Sequence, residues 1–137
     1  MKKIGLIILI TIFTKNIHGQ DTLAYLQSIV ANKAQYIGQP FSTLYSNLSI
    51  QIKFFSPVAD IHHNKSKETA TRFSFFFPQS ADDMYLTYPL LRISWQPFLN
   101  ATQSDVIWES NNGGEWNTSA YNFYKNAIIA DIKVRDK

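Results

Sequence analysis

The stretch Ala59–Thr69, ADIHHNKSKET, gathers Asp60, His62, His63 and Glu68. Two carboxylates and two imidazoles this close together have the donor chemistry of a divalent metal site and the proton chemistry of a hydrolase. On extended chain His62 and His63 point to opposite faces while Asp60 and His62 share one. A common ion therefore needs an irregular loop, with Glu68 folding back to add oxygen. A histidine base would likewise need an orienting acid and a nucleophile within hydrogen-bond reach. Neither H-E-x-x-H, nor a cysteine, nor a G-x-S-x-G elbow accompanies these residues. The Asn-, Lys- and Ser-rich composition reads first as a solvated loop joining two strands. A metal-assisted or histidine-based hydrolase centred on Asp60, His62, His63 and Glu68 is the alternative.

Other chemistry is thinner. Asp82 and Asp83 are a carboxylate pair of the kind glycosidases use, but adjacent residues in Q-S-A-D-D read as a turn or a cap. After Gly19 the only glycines are Gly38, Gly113 and Gly114, so no dinucleotide or P-loop cradle can be written and no cofactor is expected.

Aromatic residues make up 15% of the chain, and their spacing points to contact rather than catalysis. With Phe54, Phe73, Phe75, Phe77 and Trp95 assigned to the core, Phe55 and Phe76 fall on the opposite face, and Trp116 follows a turn. Exposed rings in a patch mark contact surfaces. Phe55, Phe76 and Trp116 are the expected binding residues.

The N-terminus, MKKIGLIILITIFTKNIHGQ, has the basic, apolar and small-residue parts of a secretory signal, expected over residues 1–19. Its apolar run is about half the roughly 20 residues that a membrane span requires, so no stable membrane insertion is expected after cleavage. Loss of Lys2, Lys3 and Lys15 from thirteen basic residues leaves ten against ten acidic ones. A neutral chain without a basic stripe does not track phosphates, and nucleic acid is excluded as a partner. Residues 20–137 suit one domain. With no cysteine it must be stabilised by packing alone. Export without cysteine points to a bacterial periplasmic or secreted protein.

The elements that must position these residues follow from periodicity. Asp21 and Thr22 precede apolar residues at Leu23, Leu26, Ile29, Val30 and Ile37, a helical face ending at Gly38 and Pro40. Ser42 opens a second helix with Phe41, Leu44, Tyr45 and Leu48 as its buried side. Period-two runs then predict strands over Ser49–Phe55, over RFSFFFP, and over Leu90–Trp95, with a short one at Val106–Trp108 before the N-N-G-G turn. A helix is expected over Thr118–Lys125. A final strand, AIIADIKV, should line up Ile128, Ala130, Ile132 and Val134.

This order predicts an α+β fold: N-terminal helices packed on one face of an antiparallel sheet of four to five strands, with a further helix before the C-terminal strand. The functional expectation is a non-catalytic binding or interaction module of the bacterial envelope, with an envelope protein or glycan as partner. A structural protein pairing through an edge strand at Ala127–Val134 is a further alternative.

Overall fold

A computed structural model describes residues 19–77 and 88–135. Residues 1–18 of the segment expected to be a secretory signal, and the Asp82–Asp83 pair, lie outside the described residues. Among them no helix is long and apolar enough to cross a membrane. The architecture is α+β. Helices α1 (Gly19–Ala31) and α2 (Phe41–Asn47) lead into strands β1 (Phe54–Val58), β2 (Lys67–Ser74) and β3 (Leu90–Asn100). Helices α3 (Ala101–Ser110) and α4 (Thr118–Tyr124) follow, then strand β4 (Ile129–Arg135). The strands form one antiparallel sheet in the order β1-β2-β3-β4.

Helix α1 buries Leu26 and Ile29 and half-buries Leu23 and Val30, as the three-and-four spacing predicts. Ile37 departs from that face and is exposed, because the helix stops at Ala31 and a 3₁₀ turn, Lys33–Gln35, carries the chain on. Gly38 adopts φ +79° and donates its N–H to Ile129 O, which covers the first part of the outer edge of β4. Pro40, rather than Ser42, sits at the N-cap of α2, and Phe41 and Leu44 face inward.

The register explains which side chains meet. Phe55, Phe73 and Leu91 stand in one row across β1, β2 and β3, and Pro57, Thr71, Ile93 and Ile132 stand in another. From these rows Phe55, Phe73, Leu91, Ile93 and Ile132, with Trp95, belong to the core shared with the helices, and Thr71 is buried among them. The alternate row, Ser56, Arg72, Arg92 and Lys133, faces the other way. Pro57 is tolerated because β1 is an edge strand, where a missing N–H breaks no inner ladder.

Three expectations need correction. Residues 49–53 are not a strand: Lys53 bonds Ser74 O with its N–H while its carbonyl accepts from Trp116 N, so the segment is pinned by single contacts on two sides. Val106 and Trp108 lie in α3. Asn100 caps that helix, its side chain accepting from Gln103 N at 3.0 Å, and Ala101, Ser104 and Trp108 recur on its inner face. In β4 a bulge opposite Ser94 and Trp95 inserts Ala130, so Ile129 and Ile132 are the buried pair and Ile128 is half-buried.

The N-N-G-G turn holds three successive positive φ values, at Asn112, Gly113 and Gly114. Gly114 is also pressed against its surroundings: a Cβ there would lie 2.3 Å from Phe55 O and 2.5 Å from Trp108 Nε1. Gly114→Ala is expected to cost roughly 2 kcal/mol or more. A urea midpoint unchanged from the parent would contradict this packing.

Candidate functional site

The histidine loop is built as a connection. Residues 59–66 join β1 to β2, with Lys65 Nζ on Ala59 O at 2.9 Å and Ser66 N on Asn64 Oδ1 at 3.2 Å. Asp60 is committed to an ion pair with Arg92. His62 and His63 are exposed, their rings edge-to-face at 5.0 Å. Glu68 is not with them; it is fully buried in the core. Among the described residues no group of three His, Cys, Asp or Glu side chains is placed to hold a metal ion.

Glu68 turns inward because the ladder between β2 and β3 shifts register between Glu68 and Ala70, which breaks the alternation just where it would have pointed out. Inside, its Oε1 accepts from Tyr124 Oη at 2.8 Å and from Thr71 Oγ1. Thr71 Oγ1 in turn accepts from Trp95 Nε1 at 2.8 Å. Ser104 of α3 lies alongside and bonds Ala101 O. Glu68 Oε2 is buried without a hydrogen-bond partner among the described residues.

Burial pushes the Glu68 carboxyl up to about 7, against the opposing hydrogen bonds of Thr71, Ser104 and Tyr124 and with a small push from Asp105. Burial, reinforced by Glu68, likewise raises the Tyr124 phenol well above its ordinary value. Below about pH 7 the neutral acid is the form that suits this place.

The expected contact rings separate. Phe55 is 1% exposed and belongs to the core; its neighbour Phe54 is half-buried on the other face, against Phe77 at 5.7 Å. The expectation for Phe55 fails because residues 49–53 do not run in strand register into β1, and a one-residue slip exchanges the two faces. Phe77, expected in the core, is 61% exposed. Phe76 and Trp116 are half-buried, and each lines a surface depression.

Three such depressions adjoin, two of them along residues 49–53 and the third beyond Trp116. The first, about 300 Å³, is lined by Ser49, Gln51, Lys53, Phe75 and Phe76 among others. The second, about 290 Å³, shares Gln51 and Lys53 with it and adds Phe77, Tyr45, Glu115 and Trp116. The third, about 280 Å³, shares Tyr45 and Trp116 with the second and ends at Asn117, Thr118 and Tyr121. Shared side chains make these one groove. Tyr45 and Tyr121 were not singled out from sequence, because each fits the apolar period of a helix. In space their rings stand 4.6 Å apart, and Trp116 Nε1 donates to Tyr45 Oη at 3.4 Å.

The buried carboxyl makes stability depend on pH. Folding favours the protonated form of Glu68, so its contribution is complete below the ordinary value of 4.5 and is lost as pH rises through about 7. Stability should fall by at most about 3 kcal/mol between pH 5 and pH 8 from this group. Glu68→Gln should flatten that slope in urea titrations at the two pH values; parallel profiles for variant and parent would show that Glu68 is not the group responsible.

No known protein family, curated protein or solved structure matches the chain.

Proposed function

We propose that the chain is an exported, non-catalytic binding module of the bacterial envelope, periplasmic or secreted, that receives an envelope protein or glycan in the groove running from Phe76 to Tyr121. The observation that carries this reading is the joining of three ring-lined depressions through shared side chains, Gln51 and Lys53 at one junction and Tyr45 and Trp116 at the other. Grooves that combine aromatic surface with a few placed polar groups are the usual form of a recognition site. Binding is favoured over catalysis because, among the described residues, the carboxyl held near neutrality is Glu68, which is sealed in the core and bonded to Tyr124 and Thr71. Export is supported by the N-terminal layout of basic, apolar and small residues.

Two measurements test the reading. The chain expressed in a bacterial host should be recovered outside the cytoplasm with its first residue near Gln20, as read by intact mass. A photo-crosslinking residue at Asn117, in the groove, should capture an envelope component, whereas one at Val106, exposed on α3 and not lining the groove, should not. Tyr121→Ala should weaken that capture at least about tenfold, the loss expected when an aromatic anchor beside the crosslinking position is truncated. Equal capture from both positions, or no effect of Tyr121→Ala, would rule the groove out as the contact site.

A further inference from the structure

We infer that the ligand of this groove is a neutral, linear oligosaccharide held one sugar ring per depression, an inference that rests on the groove being the binding site. The three depressions are nearly equal, at about 300, 290 and 280 Å³. At or just under the floor of the roughly 300–1,000 Å³ range for drug-sized ligands, each is small enough to suit one unit of a longer ligand rather than a whole one.

The lining repeats the same chemistry. The first depression sets Phe76 beside Ser49 and Gln51, the second sets Trp116 beside Gln51, and the third sets Tyr121 beside Asn117 and Thr118. A pyranose presents apolar C–H faces and a rim of hydroxyls. Ring surface edged by amides and hydroxyls is complementary to both.

Charge and main chain narrow the occupant further. Among the described residues the charged side chains lining the groove are Lys53 and Glu115, of opposite sign. Lys53 Nζ is already engaged, 5.1 Å above the Phe77 ring and 3.0 Å from Gln51 Oε1. An acidic polymer finds no net positive field here. One mode of peptide docking adds a strand to free backbone groups. At Lys53 that mode is blocked, because Lys53 N bonds Ser74 O at 2.7 Å and Lys53 O accepts from Trp116 N at 2.9 Å. Recognition at this point of the groove comes from side chains, and the peptide probe below tests whether a side-chain-bound peptide competes with a sugar.

The test is a titration of the ¹⁵N-labelled full chain with cellotetraose, chitotetraose, maltotetraose and their monosaccharides, followed through the indole N–H resonances of Trp116 and Trp95. Tetragalacturonate and an extended Ser/Tyr tetrapeptide serve as charged and peptidic probes. At least one neutral tetrasaccharide should move the Trp116 signal, bind at least tenfold more tightly than its monosaccharide, and lose about tenfold in affinity with Tyr121→Ala or Gln51→Ala. The buried Trp95 indole should stay in place. If the peptide or tetragalacturonate moves Trp116 at lower concentration than every neutral sugar, the oligosaccharide assignment is overturned and the groove remains the site. If no probe moves Trp116 and crosslinking from Asn117 also yields nothing, both the assignment and the groove fall together.

Discussion

Everything in this domain hangs on one cluster of rings. Phe73 stacks on Phe41 with centroids 5.1 Å apart and meets Trp95, Trp116 and Tyr124 edge-on at 5.6 to 6.5 Å. Such pairs each contribute about 0.5–1.5 kcal/mol beyond the area they bury. The cluster takes Phe41 from α2, Phe73 from β2, Trp95 from β3 and Tyr124 from α4, and Trp116 from the segment between the last two helices. A chain with no cysteine has no covalent staple to join these layers. Interlocking aromatic side chains perform that task, and each layer is fixed relative to the others through Phe73.

Glu68 follows from the same cluster. Tyrosine and tryptophan bring polar atoms with their ring area, and those atoms need partners once water is excluded. Trp95 Nε1 and Tyr124 Oη approach β2 from different elements and end on the Thr71–Glu68 pair. Truncating Glu68 to an apolar side chain would strand the Tyr124 hydroxyl and the Thr71 hydroxyl together, whereas keeping it neutral satisfies both on a single oxygen. The raised carboxyl is thus accounted for by core architecture, with pH-dependent stability as its expected cost.

The parts of this fold that were readable from sequence are those with an uninterrupted period. Helices α1 and α2 keep their apolar spacing over several residues, β4 is legible as a strand although its bulge moves the buried pair to Ile129 and Ile132, and the α+β class follows from their order. Helix α3 was hidden because its inner face uses Ala101 and Ser104, small residues that carry no hydrophobic signal; Asn100, the cap, was its legible mark. Phe54 and Phe55 exchanged faces because the irregular segment before them erases the parity on which strand reading depends. Glu68 was grouped with the histidines because sequence proximity was the only distance available, while its true neighbours, Tyr124 and Ser104, are far along the chain. Of the groove, Phe76 and Trp116 were visible as surplus aromatics. Tyr45 and Tyr121 were absorbed into helices and became visible only when α2 and α4 were seen side by side.

The position of the groove is itself a consequence of the core. Trp116 packs one side of its indole on Phe41, Phe55 and Phe73 and belongs to the surface on the other, with Tyr45 at 6.0 Å continuing the ring surface to Tyr121. Rings anchored in this way are already fixed before a ligand arrives, so little side-chain entropy is lost on binding. Asn117 is similarly prepared: its Oδ1 is occupied by Ala120 N and Ser119 Oγ, which holds the amide in place and directs its remaining N–H groups to act as donors. The histidine loop is tied at its ends, by Asp60 to Arg92 and by Ser66 O to Ala101 N, but its two histidines are exposed and pack on no core ring. Affinity depends on surface that is held rigid, and in this molecule the rigid surface is the place where the aromatic core breaks through to solvent.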